Sequence, residues 1–250
     1  MMSKYLILDT ESTFDPYLRE AYERIDPACR RARIGCRSIV AISLMTVEID
    51  DIGRVSVGDL RSWTLRDCGS EQRMVTEAFA YMRQHADYTM TTHGGIGVDC
   101  QILQLAALTA DLALPRQLAE AQGPRWKDVR HLDIGLAFKA SGKTWHHLSE
   151  LLLRMGLPAA LLLGKADPGV RPEKIDWHKI QEHCELDVLF TSIVLLGWLR
   201  LQGHSFLRLA TGQLALIESF LRQRPLAVSA PLLRAHADDL QRAVAQELAA

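Results

Sequence analysis

The sequence has almost no net charge and no long uninterrupted apolar stretch. Its 29 Lys and Arg residues are balanced by 30 Asp and Glu residues, which gives a formal charge of −1. A molecule with this balance has no positive field overall, so a site for a polyanion must be a local patch. The most apolar stretch, residues 148–163, contains Glu150, Arg154, Gly156 and Pro158, and it is too short to cross a bilayer. We therefore expect no membrane partner.

Cysteine is also scarce. The five cysteines are scattered and form no C-x-x-C pair, which is typical of reduced thiols in a cytosol rather than of a disulfide framework or a zinc site. The first four residues lead directly into an apolar run, so no secretory signal is expected and a cytoplasmic location is predicted. No internal repeat is present, and no feature indicates a homo-oligomer, although one is possible.

The apolar run at residues 5–8 organises the rest of the chain. In a 250-residue sequence that is 48% hydrophobic, it predicts a buried strand, although periodicity alone does not exclude a buried helix. It ends at Asp9 and Glu11, which share one face of a strand because side chains alternate. These carboxylates have no basic neighbour and repel each other, a situation that a divalent cation such as Mg²⁺ relieves. The alternative is two solvated acids at a turn.

The next segments predict a meander. Residues 38–48 are rich in β-branched side chains, a turn follows at residues 50–53, and residues 55–65 predict one or two further strands. Residues 12–37 carry six arginines, which indicate either a solvated loop or short helix, or a guanidinium cluster for phosphates. Ser70 is a predicted N-cap for a helix that ends near residue 84.

A glycine-rich loop follows the short strand predicted at residues 88–92. Gly94, Gly95 and Gly97 lack the GK[ST] and G-x-G-x-x-G patterns of phosphate loops, which also argues against a dinucleotide enzyme. We expect these glycines to turn the backbone so that Asp99 stands at a helix N-terminus. The alternative for Asp99 is a plain N-cap.

A fourth acid lies on a long helical pattern at residues 175–201. Asp187 stands where the polar part of this pattern meets its apolar part, and His183 is four residues earlier. On a helix the two are separated by roughly 40° and about 6 Å, so they can face one cleft. The alternative is a partly exposed Asp with a His one turn back. His146 and His147 more simply flank a helix start, and a last amphipathic helix is predicted at residues 232–248.

These three motifs together resemble the DEDD superfamily of 3′–5′ exonucleases. More narrowly, the chain resembles bacterial proteins related to the proofreading domain of family B DNA polymerases, over about residues 4–210. Residues 6–11 are similar to the first family motif, 91–103 to the second and 182–189 to the third. Residues 130–134 and 164–167 resemble secondary family signatures.

The resemblance implies an α/β, ribonuclease H-like mixed sheet flanked by helices, with an exonuclease domain at residues 1–210 and a helical C-terminal extension at residues 211–250. It implies two Mg²⁺ or Mn²⁺ ions held by Asp9, Glu11, Asp99 and Asp187. It places the substrate near Thr10, Ser12, His93, Gly94 and Gly95. The implied substrate is a single-stranded 3′ end, with DNA favoured and RNA possible, and the product is a nucleoside 5′-monophosphate.

The chain also departs from the family pattern. Relatives carry a Tyr four residues before the last Asp or a His five before it, whereas this chain has His183 at the first position and Glu182 at the second. We expect His183 to orient or deprotonate the attacking water, because an unperturbed His titrates near pH 6.5 and a Tyr near 10. The alternative is that His183 only fills space and that catalysis is slow.

The second motif lacks the usual Asn and aromatic residue, since Gly94, Gly95 and Val98 occupy that segment. The loss of this Asn, together with the loss of the Tyr four residues before the last Asp, favours a function of another class, a weakly active or inactive module for nucleic-acid binding or assembly. The four acids oppose it, because clustered carboxylates are electrostatically costly without a metal.

Overall fold

Five strands form one mixed sheet in the order β3-β2-β1-β4-β5. The computed structural model describes residues 2–28, 33–119, 130–163 and 175–249. The strands are β1 (Ser3–Phe14), β2 (Arg37–Ile49), β3 (Val55–Thr64), β4 (Thr89–Thr92) and β5 (His131–Asp133). The first three are antiparallel neighbours, and β4 and β5 continue the sheet in parallel with β1. The predicted meander and the ribonuclease H-like fold class are confirmed.

Helices cover both faces of this sheet. In chain order they are α1 (Pro16–Ile25), α2 (Leu65–Cys68), α3 (Glu71–Gln84), α4 (Asp99–Thr109), α5 (Arg116–Ala119), α6 (Ile134–Lys139), α7 (Leu148–Arg154), α8 (Trp177–Leu201), α9 (Leu209–Gln223) and α10 (Ala230–Ala249). Two short 3₁₀ turns, Ile34–Cys36 and Ala159–Leu162, join them.

The alternation of β1 decides which helices meet the acids. Leu6 and Leu8 pack into the core formed with α3 and α4, whereas Tyr5 and Ile7 pack into the core formed with α8 and α9. Asp9 continues the second series and therefore lies on the face that α8 covers. The acids lie inside the strand, and the expectation that they stand at its exit is wrong, because pairing with β2 continues to Phe14 and Arg37.

Several predicted elements are confirmed. Helix α3 begins after Ser70, whose hydroxyl accepts a hydrogen bond from the backbone N–H of Arg73 at 3.2 Å. Val55–Thr64 form one strand, and residues 175–201 contain the single helix α8. The short β5 pairs in parallel with β4 over three residues. The signature at residues 164–167 lies outside the described residues.

The C-terminal residues form a helical hairpin on this sheet. Helix α9 packs against α8 and β3, and α10 packs against α9. The last helix begins two residues earlier than predicted, with Pro231 in its first turn, where a missing N–H has no cost. The domain boundary at residue 210 stays a prediction. Within the described part of the chain, no helix is both long and apolar enough to cross a membrane.

A buried acid ties this hairpin to the sheet. The carboxylate of Glu185, on α8, is 2% exposed and accepts hydrogen bonds from Ser62 of β3 at 2.7 Å and from Gln181 at 2.9 Å. Arg224, directly after α9, completes the network with a 2.8 Å ion pair to Glu185 and a hydrogen bond to the carbonyl of Leu60. A charge this deep is tolerated because its oxygens are all paired.

Replacing Arg224 by Met is therefore expected to destabilise the protein by about 2–3 kcal/mol, because Glu185 keeps its charge and loses its counter-ion. Urea unfolding of Arg224→Met beside Arg222→Met, a neighbouring exposed arginine, measures the effect. The double variant Glu185→Gln/Arg224→Met is expected to recover part of the loss. Equal unfolding midpoints for the two single variants would contradict the importance of this pair.

Candidate active site

Four carboxylates come from three elements and converge at the centre of the sheet. Strand β1 supplies Asp9 and Glu11, the first residue of α4 is Asp99, and Asp187 lies midway along α8. The first link between elements is a 2.5 Å hydrogen bond that the Thr10 hydroxyl donates to Asp99. The charges of Asp187, Asp99 and Glu11 all act on Asp9. The structure thus brings together the acids of all three motifs.

His183 faces two of these acids. Its Nε2 atom lies 3.3 Å from an oxygen of Glu11 and 3.6 Å from an oxygen of Asp187, one turn further along α8. One ligand atom from each of the three residues lies within 4.8 Å of the others, so the group could hold a metal ion. Sequence reasoning placed His183 at the cleft but did not suggest it as a ligand.

Asp9 is in the least favourable electrostatic position. Its burial, followed by the negative charges of Asp187, Asp99 and Glu11, raises its pKa well above the ordinary value. Its Oδ2 atom is buried and has no hydrogen-bond partner among the described residues. The thiol of Cys184 donates to the backbone carbonyl of Asp9 at 3.3 Å, and its interaction with the Asp9 carboxyl lowers the pKa by less than burial and the neighbouring charges raise it. An all-oxygen set with an unpartnered buried atom fits a hard divalent cation.

Asp99 is not the N-cap of α4, so the alternative drawn from the sequence is wrong. The N-cap position is Val98, which makes no side-chain capping bond, and Asp99 is the first helical residue. Its carboxylate is buried and turned to Thr10 instead. Burial raises the pKa of Asp99 to about 6, against the lowering effect of the bond from Thr10.

The glycine loop before α4 is held by an acid that sequence reasoning noted only as a family signature. The carboxylate of Asp133, which also caps α6, accepts hydrogen bonds from the backbone N–H groups of Gly94 at 2.9 Å and Ile96 at 3.0 Å. Gly94 has φ +82°, and a Cβ there would come within 2.8 Å of the Trp145 ring. Asp133 and Trp145 thus fix the loop that leads to Asp99.

Several of the predicted substrate-binding residues near the acids already make contacts within the protein. Ser12 accepts a 3.0 Å bond from the guanidinium of Arg37, and a Cβ on Gly95 would come within 2.6 Å of Thr92. The His93 ring meets Trp145 edge-on, with centroids 5.8 Å apart. Their contact with a substrate stays a prediction.

Within the arginine-rich segment, residues 16–25 form α1, and the two arginines of this helix pair with its own glutamates. Arg19 pairs with Glu23 at 2.9 Å, and Arg24 pairs with Glu20. These contacts favour the solvated short helix over a guanidinium cluster, for the residues that the structure describes. Residues 29–32, which include Arg30 and Arg31, lie outside them.

The geometry can be compared with known proteins. A sequence model of predicted 3′–5′ exonucleases related to the exonuclease domain of PolB matches residues 32–229. The chain belongs to this family. The match includes Asp99, His183 and Asp187 but begins after β1, so the place of Asp9 and Glu11 in the site follows from the structure. No curated protein matched the sequence.

Solved structures similar to this chain include a DNA polymerase and an exonuclease. The family B DNA polymerase of the hyperthermophilic archaeon Pyrobaculum calidifontis shares 13% identity over 88% of this chain and 29% of its own, with a TM-score of 0.48. E. coli exonuclease I in complex with a 5cy-dT13 oligonucleotide shares 11% identity over 83% of this chain and 42% of its own, with a TM-score of 0.43. The chain spans less than half of either protein.

A cavity of about 340 Å³ opens beside His183 and Asp187. Most of its lining is apolar, with Leu152 from α7, Leu161 from the second 3₁₀ turn and Phe190 from α8. A concave apolar site of this size with a few charged groups at one side is typical of small-ligand sites, which range from roughly 300 to 1,000 Å³. The carboxylate site thus adjoins a space that can receive an organic group.

The raised pKa of Asp99 predicts a pH-dependent stability. The folded carboxyl titrates near 6 and an unperturbed Asp near 3.8, so the folded state binds more protons between these values and loses stability as pH rises through them. In metal-free protein, Asp99→Asn is expected to gain on the order of 1–3 kcal/mol over wild type at pH 7.5. At pH 4 the two are expected to be close.

Thermal unfolding in EDTA at several pH values checks this expectation. Asp238→Asn, an exposed acid on α10, is the matched control and is expected to follow wild type at every pH. A constant difference between Asp99→Asn and wild type from pH 4 to 7.5 would contradict the assigned titration. Added Mn²⁺ is expected to raise the melting temperature of wild type more than that of Asp99→Asn.

Proposed function

We propose that the protein is a metal-dependent 3′–5′ exonuclease that hydrolyses single-stranded nucleic acid, with DNA favoured over RNA, and releases nucleoside 5′-monophosphates. Family membership supports the reaction class. The observation that supports the mechanism is the convergence of four carboxylates around Asp9, whose buried Oδ2 lacks a partner among the described residues. Four acids at such a position are costly unless they serve a cation.

In this proposal Asp9, Glu11, Asp99 and Asp187 hold two Mg²⁺ or Mn²⁺ ions. When bound, such ions activate a water molecule and stabilise the attacking and leaving oxygens of a phosphodiester. The protein's own contribution is to orient the ligands. Thr10 holds one oxygen of Asp99 at 2.5 Å, and Asp133 fixes the loop before it. The cavity beside Asp187 receives the terminal sugar and base, which requires a 3′ end separated from any complementary strand.

His183 is proposed as the group that orients the attacking water and accepts its proton. Its Nε2 atom faces Glu11 and Asp187, so a base at this position lies beside the proposed ligands. An imidazole is partly neutral at physiological pH and can accept a proton there. Position 182, where relatives can have a His, cannot take this role, because the Glu182 carboxylate accepts two backbone N–H groups near the start of α10.

Digestion of 5′-labelled single-stranded DNA and RNA with Mg²⁺ or Mn²⁺ tests the activity. Wild type is expected to shorten the oligonucleotides stepwise from the 3′ end. Asp9→Asn is expected to be slower by on the order of 10²–10³-fold, a loss typical of removing one group that stabilises transition-state charge. Asp59→Asn, an exposed acid on β3, is the control. Absence of product on both polymers with both metals would refute the proposal and leave a binding or assembly function.

The role of His183 is tested by the pH dependence of kcat. His183→Ala is expected to lower kcat by roughly 10²-fold and to remove the acidic limb of the profile, since general-base catalysis contributes about 10²–10⁴-fold. His204→Ala, an exposed histidine after α8, is expected to keep the wild-type profile. If instead His183→Ala weakens Mn²⁺ binding and high Mn²⁺ restores kcat, His183 is a metal ligand and the proposed base is wrong.

A further inference from the structure

The wall of the cavity beside the candidate active site includes one residue, Leu232, from outside the part of the chain that the family model matches. The family match ends at residue 229, and α10 begins at Ala230. Even so, Leu232 of α10 lines the cavity together with Val228 and Ser229, which lead into the helix. His183 and Asp187 line the same cavity. The start of α10 therefore faces the space that adjoins the proposed catalytic groups.

Hydrogen bonds attach this wall to helix α8, which carries His183 and Asp187. The two carboxylate oxygens of Glu182, the residue before His183, accept hydrogen bonds from the backbone N–H groups of Val228 at 2.9 Å and Ser229 at 2.8 Å. Behind them, Ala230 and Leu233 are buried. Because an ionised acceptor with two N–H donors forms strong hydrogen bonds, α8 and α10 hold a fixed spacing across the cavity.

The chemistry of the wall suits one end of a nucleotide. Leu232 is 42% exposed although it lines the cavity, and Leu186 and Phe190 of α8 line the same space. Apolar surface of this kind favours contact with the flat face of a nucleobase, because nucleobases stack on apolar and aromatic side chains. Lys179 also lines the cavity, is exposed and forms no ion pair with any described residue. A cation at this place complements a phosphate.

We propose that α10 is a specificity element of the active site, in which Leu232 forms the wall against the 3′-terminal nucleobase and Glu182 positions that wall. The inference rests on the proposed exonuclease function. In this proposal the C-terminal hairpin selects the chemical group that enters the cavity. Glu182 is then a positioning residue and not a catalytic one.

The test uses a substitution that reduces the volume of the cavity and leaves the four acids unchanged. Leu232→Trp is compared with Leu226→Trp, the same substitution at a 95% exposed leucine between α9 and α10 that does not line the cavity. The probe is single-stranded DNA with 2-aminopurine at its 3′ end, bound without added metal and followed by fluorescence. Leu232→Trp is expected to weaken binding and to raise KM about tenfold, with kcat within twofold. Leu226→Trp is expected to match wild type.

Equal binding and equal KM for the two tryptophan variants would overturn the proposal, even if wild type digests DNA from the 3′ end. Conversely, weaker binding by Leu232→Trp alone would support the wall even if wild type proves to have no nuclease activity. Glu182→Gln, which has one acceptor oxygen for two N–H groups, is expected to raise KM severalfold with kcat kept. A lower kcat at unchanged KM would remove Glu182 from this role.

Discussion

Mutual repulsion among four buried or half-buried carboxylates at the centre of the sheet is the constraint on which the rest of the structure depends. A carboxylate removed from water costs several kcal/mol unless it is paired, and each like charge nearby adds to that cost. Asp9 carries this cost most clearly, because its burial and three neighbouring acids all raise its pKa. A fold keeps such an arrangement only when packing elsewhere prevents the acids from separating.

That packing comes from the two cores on either side of β1. One core joins β1 to α3 and α4, and the other joins it to α8 and α9. Because β1 packs against a core on each face and stays paired with β2 as far as Phe14, the backbone that carries Asp9 and Glu11 is held in place. The helices that carry Asp99 and Asp187 are held against the same strand. The site is therefore assembled by hydrophobic burial and opposed by electrostatics.

The sequence was sufficient to predict the acids and the meander, because both depend on local pattern. Alternation along a strand places Asp9 and Glu11 on one face, and the 3.6-residue period places His183 and Asp187 on one side of a helix. These relations hold wherever the elements pack. The contact between His183 and Glu11 depends on how α8 crosses β1, which no spacing encodes, and it was not predicted.

Other features of the site were out of reach of the sequence for the same reason. Asp133 accepts hydrogen bonds from two backbone N–H groups of a loop that lies about 40 residues earlier in the sequence. An Asp just before a helix predicts a cap, and Asp133 is one, but nothing local indicates its second set of donors. For Asp99, the local pattern suggested a helix cap that the structure does not contain. The hydrogen bond that its carboxylate accepts from Thr10 shows that Asp99 faces the site instead.

A short stretch of α8 concentrates these relations. Successive residues of a helix point about 100° apart, so neighbours in sequence serve different parts of the molecule. Glu182 binds the start of α10, His183 faces Glu11, and Cys184 donates to the carbonyl of Asp9. Glu185 then forms an ion pair with Arg224, which directly follows α9 in the chain. The helix that presents the candidate catalytic groups is thus the same one that anchors the C-terminal hairpin.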